Sequence, residues 1–196
     1  FILKNKEYHM KKLRKCFIVL LSLSLISVVF AKSTAKPVKV TLSEANVWGT
    51  DATLGDGVFA KDGSVTYTAM YRYGGGGYTF KINGNDGIDL KDYSTCEIEF
   101  DYKTGSWEKP KVMPKFGIKY WGPGGNFYSN GVPIDWVDAE TLKGTVKRSI
   151  DIKDKTGKAL YIGVLANSWM WAGNGDGSNN GDDTAIITVK SIKFLP

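Results

Sequence analysis

Short segments in which apolar and polar residues alternate follow one another from residue 37 to the end of the chain. In 65–71 tyrosines and small apolar residues alternate with threonines, and in 97–103 large apolar residues alternate with charged ones. Successive side chains of a strand point to opposite faces, so a period of two predicts strands with one buried face. By this pattern we expect strands at 37–42, 65–71, 78–82, 97–103, 115–121, 145–151, 158–166 and 185–195.

Clusters of Gly, Asn, Asp and Pro separate these segments, as is typical of turns between strands. Residues 138–142 fit a single helical turn, and no longer helical pattern is present. Many short strands with turn-rich connections indicate an all-β domain, and its length is sufficient for one core. We therefore predict one domain over residues 32–196, folded as a two-sheet antiparallel β-sandwich of the jelly-roll type.

The beginning of the chain has the composition of a secretory signal peptide. Met10 is followed by basic residues at 11–15, an apolar run at 16–30 and a cleavage pattern at 29–31. The run is short for a transmembrane helix, although an uncleaved N-terminal anchor is an alternative. The sequence predicts a signal peptide at 10–31, no clear role for residues 1–9, and a protein secreted or displayed at the cell surface without membrane contact after cleavage.

Composition excludes several classes of function. Residues 1–31 hold six of the 26 Lys and Arg residues and one of the 20 Asp and Glu residues, so the remainder is nearly neutral. A nearly neutral domain lacks the excess positive charge with which proteins bind nucleic-acid phosphates, so nucleic-acid binding is not expected. The one histidine, His9, lies in the leader, which leaves no imidazole for a Ser-His-Asp triad or a zinc site. Cys96 has no partner for an internal disulfide and is expected to be a small buried residue.

The aromatic residues are the strongest functional signal. All six tryptophans follow the leader, and several lie in glycine-rich, polar stretches. Such stretches run over the surface, and exposed aromatic side chains mark binding patches. A pyranose has an apolar face of C–H groups within a rim of hydroxyls, which suits an aromatic ring flanked by amide and charged side chains. The pattern therefore favours a carbohydrate ligand.

Trp121 is the most informative of these residues. The alternation turns it away from its apolar neighbours, to an exposed face that it shares with Gly117 and Lys119. To the same face a neighbouring strand is expected to contribute Tyr161, Gly163 and Asn167. The predicted ligand-binding residues are the aromatics Trp121, Trp169, Trp171, Tyr73 and Tyr71 and the polar residues Asn167, Lys119, Arg72 and Asp101. The tryptophans expected to be structural are Trp48, Trp107 and Trp136.

Four stretches of the chain, 63–67, 88–93, 159–164 and 187–194, resemble secreted carbohydrate-binding modules of the jelly-roll type. These are the modules attached to bacterial xylanases, cellulases and mannanases, with the xylan-binding family 86 or families 4, 16 and 22 as the candidates. The resemblance spans residues 37–196 and lies in the spacing of the predicted strands rather than in an invariant sequence motif.

The resemblance implies a monomeric, non-catalytic module that binds a plant cell-wall β-glycan and requires no cofactor. It also implies that the module keeps an attached glycoside hydrolase close to its polysaccharide, where weak binding gains from tethering. Xylan is the expected glycan, from the resemblance alone. A surface domain that binds protein is an alternative, because an aromatic-rich patch suits that function too.

Three carboxylates, Glu97, Glu99 and Asp101, alternate along one predicted strand and therefore share a face. Retaining glycosidases use two nearby carboxylates, and the pattern resembles the Glu-x-Asp-x-Glu strand of laminarinase-type β-glucanases with two residue types exchanged. A small hydrolase is thus the alternative to a binding module. The same carboxylates could also form a solvated face paired with Lys115 and Lys119, or accept hydrogen bonds from a sugar.

The stretch 173–183 is rich in Gly, Asn and Asp, and such oxygen ligands suit calcium. The spacing departs from the EF-hand pattern, with Asn179 at the turn-glycine position and Ala185 at the final Glu position. Related sandwich modules often carry a structural calcium near the first and last strands. The resemblance therefore suggests Glu44, Asp182 and Asp183 as ligands, with an unliganded turn as the alternative.

Overall fold

The computed structural model describes residues 34–43, 47–49, 53–70, 76–104, 114–123, 131–167 and 184–196. The chain divides into the units Phe1–Thr34 and Ala35–Pro196, and the second contains every described strand. None of the helices in the described ranges is long and apolar enough to cross a membrane.

Thirteen strands are present in the described residues, together with a one-turn 3-10 helix at Leu90–Asp92. In chain order, the first seven strands are β1 (Val38–Lys39), β2 (Val47–Gly49), β3 (Thr53–Phe59), β4 (Val65–Met70), β5 (Gly76–Lys81), β6 (Ile88–Asp89) and β7 (Thr95–Thr104). The remaining six are β8 (Lys115–Trp121), β9 (Val132–Asp138), β10 (Lys143–Asp151), β11 (Lys158–Ala159), β12 (Tyr161–Asn167) and β13 (Thr184–Leu195).

The strands form two main antiparallel sheets. The six-stranded sheet has the order β10-β7-β13-β4-β3, with β1 added beside β13, and the five-stranded sheet has the order β2-β5-β12-β8-β9. A third, two-stranded sheet pairs β6 with β11. The chain passes repeatedly from one main sheet to the other, from β4 to β5, from β7 to β8 and from β12 to β13. The two-sheet antiparallel β-sandwich predicted from the sequence is confirmed.

The core lies between the two main sheets, and long strands such as β7 contribute every second residue to it. In β7 the apolar positions Cys96, Ile98 and Phe100 are buried, whereas the charged positions between them are partly exposed. Phe100 packs edge-on against Phe116 of the opposite sheet, with ring centroids 5.4 Å apart. Burial raises the pKa of the Cys96 thiol to about 12, so this residue is an inert part of the core.

A buried tyrosine links the two sheets across the core. The hydroxyl of Tyr67, on β4, donates a hydrogen bond of 2.7 Å to the backbone carbonyl of Val164 on β12. The Tyr67 ring also stacks on Tyr78 of β5 at a centroid distance of 4.9 Å. Because the partner oxygen is buried, this bond fixes the position of β12 relative to the six-stranded sheet.

The structure adds elements that the alternation did not predict. β2, β3 and β9 lie at sheet edges, and β6 forms the small sheet with β11, which is the first part of the strand predicted at 158–166. The expected helical turn at 138–142 is wrong, because β9 continues to Asp138 and the chain then enters β10 at Lys143 without a helix. The expected strand at 37–42 is shorter than predicted, since pairing with β13 covers Val38 and Lys39 only.

Candidate functional site

The outer face of the five-stranded sheet, which points away from the core, collects chemically diverse side chains in rows across the strands. In one row Lys119 of β8 lies opposite Gly163 of β12, which lies opposite Thr79 of β5. In the next row toward the end of β8, Trp121 lies opposite Tyr161. Paired residues of antiparallel strands share a face, so the register places all five on the outer side.

Trp136 of β9 lies over the backbone of β8. It pairs with Gly117, and a Cβ atom built on that glycine would come within 2.8 Å of Cζ3 of the Trp136 ring. The same Cβ would come within 3.2 Å of Cε of Lys119. The indole and the lysine side chain therefore meet above a position that has no side chain of its own. Trp136 is half-buried, which leaves part of its ring in contact with solvent.

Lys119 is the buried cation of this face. The residue is 3% exposed, and its Nζ lies 5.1 Å from the centroid of the Trp136 ring, in the range of a cation–π interaction. Burial lowers the pKa of Lys119, because desolvation disfavours the charged form. A cation of this kind beside an aromatic ring is able to bind an oxygen-rich or anionic ligand.

Trp121 has the predicted orientation and lacks the predicted exposure. It lies on the outer side, away from the core residues Phe116 and Ile118, yet it is only 4% exposed. A Cβ atom on Gly131 would overlap the Trp121 ring, so the backbone just before β9 covers this indole. The expectation of an exposed platform at Trp121 is therefore wrong, because sheet alternation defines direction and not what lies above a side chain.

The partly exposed residues of the outer face surround its buried middle. Tyr161 and Lys81 are half-buried in the row of Trp121, and Lys115 is half-buried in the row at the opposite end. Lys115 forms an ion pair of 3.3 Å with Asp138, and Lys81 donates a hydrogen bond of 3.2 Å to Asn85. The middle of the face, with Thr79 and Lys119, is thus buried, whereas Trp136 and Tyr161 are partly exposed.

Several predicted site residues are not placed by the structure. Asn167 ends β12 opposite Lys115, so its backbone belongs to this sheet. The predicted ligand-binding residues outside the described residues are Tyr71, Arg72, Tyr73, Trp169 and Trp171. The predicted metal ligands Glu44, Asp182 and Asp183 also lie outside them, and the part of the chain that is described contains no cluster of three or more His, Cys, Asp or Glu residues that suits a metal.

Asp101 lies on the other side of the molecule from Lys119 and Trp121. It belongs to β7 of the six-stranded sheet, and its neighbours Phe100 and Tyr102 point into the core. The structure therefore does not bring Asp101 together with the aromatic residues of the five-stranded sheet, as the sequence analysis assumed. The reason is that β7 and β8, adjacent in sequence, belong to different sheets.

The three carboxylates of β7 are each neutralised by lysines of the neighbouring strands. Glu97 pairs with Lys193 at 3.8 Å, and Glu99 pairs with Lys147 at 3.4 Å. Lys190 lies 2.8 Å from Asp101 and 3.8 Å from Glu99. These lysines come from β10 and β13, and not from β8 as one sequence-based alternative proposed. This face of the six-stranded sheet is a solvated ladder of ion pairs.

The environment of Asp101 keeps its carboxyl group ionised. Partial desolvation acts to raise the pKa of Asp101, but the hydrogen bonds from Lys190 and Thr145 outweigh it, and the pKa is lowered. A general acid of a glycosidase needs the opposite, a carboxyl group with a raised pKa. Asp101 therefore suits a structural ion pair better than proton donation.

The lowered pKa of Asp101 predicts a pH-dependent contribution to stability. Its ion pair and hydrogen bonds act in full above the unfolded-state pKa of about 3.9 and are lost as the pH falls through the lower folded-state pKa. We expect Asp101→Asn to lower the thermal midpoint by about 1–3 °C at pH 7, and to have no effect at pH 2. Thermal unfolding of both proteins from pH 7 to 2 tests this. An equal difference at both pH values would contradict it, and Lys190→Met is expected to reproduce the pH 7 loss.

Comparisons with known proteins yield structural similarity only. No family model matches the sequence, and no curated protein matches it. A family 29 carbohydrate-binding module from Piromyces equi superposes with a TM-score of 0.39 at 12% identity, covering 82% of this chain and 90% of that one. The glycoside hydrolase domain of Endo-D from Streptococcus pneumoniae R6 superposes with a TM-score of 0.40 at 11% identity, covering 76% of this chain and 21% of that one. At such identities no site residue carries over from either protein.

Proposed function

We propose that this protein binds a β-glycan, without cleaving it, at the outer face of the five-stranded sheet, against the exposed part of Trp136. The observation that carries the proposal is the half-buried Trp136 ring lying over Gly117 beside Lys119. Because Gly117 has no side chain, the Trp136 ring and the Lys119 side chain can pack together directly above its backbone. A partly exposed aromatic ring beside polar groups is suited to flat ligands with polar edges.

The chemistry of the face matches the two surfaces of a sugar ring. The exposed part of the Trp136 indole offers an apolar surface for the C–H groups of a pyranose. Lys119 and Lys81 offer donors to the ring hydroxyls. Such a set of groups orients a ligand and supplies no nucleophile.

The absence of catalysis is part of the proposal. The three carboxylates suggested for a hydrolase, Glu97, Glu99 and Asp101, are paired with lysines on the six-stranded sheet, away from Trp136. Xylan is the first polysaccharide to test. We further propose that the protein acts outside the cell and holds an attached glycoside hydrolase near its substrate, where tethering raises the effective concentration.

Affinity electrophoresis in gels that contain xylan, glucomannan, β-glucan or hydroxyethylcellulose tests this function. We expect retardation in at least one gel, together with no release of reducing ends from the same polymer over a long incubation. Free migration in every gel would refute glycan binding. Release of reducing ends that disappears in Glu99→Gln would instead support a hydrolase.

Gly117→Ala is expected to weaken glycan binding while leaving the fold intact. The added methyl group would displace the ends of Trp136 and Lys119, because it would lie 2.8 Å and 3.2 Å from their nearest atoms. We expect a roughly fivefold to tenfold higher Kd by isothermal titration calorimetry, since overpacking of this kind costs on the order of 1 kcal/mol. Gly144, which lies against the Tyr102 ring on the six-stranded sheet, is the matched control. Gly144→Ala should leave the Kd unchanged, and an equal loss in both variants would contradict the proposed site.

A further inference from the structure

Lys119 is buried without the partner that a buried charge normally has. It is 3% exposed, and its one recorded interaction within the described residues is with the ring of Trp136. Desolvation is the single cause of its lowered pKa, which agrees with the lack of a nearby carboxylate. A cation removed from water is costly unless it is paired, and a cation–π interaction replaces only part of the lost hydration.

The neighbouring groups are engaged elsewhere. On β9 the carboxylate of Asp138 pairs with Lys115, and that of Asp135 accepts a hydrogen bond of 2.8 Å from the amide of Trp136. Lys81 and Lys115 add positive charge to the same face. Among the described residues that the register places on this face, three are lysines and Asp138 is the one acid. The face therefore has a surplus of positive charge around a cation without an acidic partner.

The ammonium group of Lys119 is buried but not fully enclosed. In the described ranges no fully enclosed side-chain nitrogen or oxygen lacks a hydrogen-bond partner. Lys119 has no hydrogen bond to a described residue, so its Nζ must touch solvent at a small opening while its aliphatic stem is covered by Trp136. A ligand group that lies against the exposed part of Trp136 would meet this nitrogen at that opening.

We propose that the glycan bound at this face carries uronate carboxylates, and that Lys119 pairs with one of them while a sugar ring lies against Trp136. This inference rests on the proposed function and specifies its ligand class as an anionic β-glycan. A carboxylate supplies the charge-assisted hydrogen bonds that Lys119 lacks in the free protein. The carboxylate also offsets the free-energy cost of removing the Lys119 ammonium group from water, which a neutral glycan would not offset.

The test compares a glucuronic-acid-substituted xylan with the same polymer after its carboxyl groups have been reduced to alcohols. We expect the protein to bind the carboxylated polymer at least about tenfold more tightly by isothermal titration calorimetry, the usual scale of a hydrogen bond to a charged group. Lys119→Met should abolish this preference and retain the residual affinity for the reduced polymer. Lys143→Met, at an exposed position of β10 on the other sheet, should leave the preference unchanged.

The outcomes separate the two proposals. Equal binding of both polymers by the unaltered protein would overturn the uronate inference and leave glycan binding in place. A preference that persists in Lys119→Met would also overturn it. If the protein bound neither of the two polymers and none of the polymers in the electrophoretic panel, the proposed function would be overturned as well. Thermal unfolding checks the variant, because replacing an unpaired buried cation by methionine should maintain or raise the midpoint.

Discussion

Trp136→Ala is expected to raise the Kd for the bound glycan by at least about 30-fold, the effect of losing a binding hot spot worth about 2 kcal/mol. The indole supplies the partly exposed aromatic surface of the proposed site and packs with Lys119 over Gly117. The same substitution removes the cation–π partner of Lys119, so polar contacts to the ligand should weaken too. Isothermal titration calorimetry with the polymer identified by electrophoresis measures the change.

Trp136→Ala should lower the thermal midpoint only slightly, because Trp136 is half-buried at the edge strand β9. Val132→Ala provides a control on the same strand, since Val132 is 48% exposed and lies opposite Tyr120. Its Kd should not change. If Trp136→Ala bound the glycan as the unaltered protein does, the ligand would have to lie elsewhere.

Trp121→Ala is expected to destabilise the protein by about 3 kcal/mol, the lower end of the range for removing a buried tryptophan. For a domain of this size the thermal midpoint should fall by roughly 6–12 °C. The reason is that Trp121 is 4% exposed and its ring supports the backbone at Gly131, where the chain enters β9. Thermal and urea unfolding measure the loss.

Trp121→Phe should recover part of the stability, because the benzyl group still fills some of the space against Gly131. A full loss of glycan binding in Trp121→Ala with an unchanged midpoint would contradict this assignment. It would show instead that the ring contacts ligand, as the alternation alone suggested. Under the proposed function, Trp136 has the ligand-contacting role that the sequence assigned to Trp121, and Trp121 is a buried structural residue.

The alternating pattern was sufficient to predict the sandwich, because the core takes every second residue of long strands such as β7 and β13. The alternating pattern did not predict the edge strands β2 and β3, for reasons that their sequences explain. β2 has three residues, and β3 contains two glycines and a break in its register with β4. Such short or irregular segments contain too few regularly alternating positions to show a period of two.

The position of Trp136 on the outer face was not predictable from a regular alternation, because the pairing of β9 with β8 shifts partway along the strand. Val132 pairs with Tyr120 and Trp136 pairs with Gly117, with a register shift between them at Ile118 and Lys119. Two residues four apart in sequence therefore face opposite sides of the sheet, which a constant period of two does not allow. The partners of Asp101 were not predictable either, since they depend on the register of β7 with β13 and β10.

The irregular strand β9 also has a consequence for how the protein behaves at high density. It is an edge of the described five-stranded sheet, where unpaired backbone groups could recruit a strand from another molecule. Pro133 has no amide hydrogen to offer, and the bulge in the pairing with β8 bends the strand. Both features make this edge a poor template for aggregation. Under the proposed function, copies bound side by side on one polymer are therefore not expected to join through this edge.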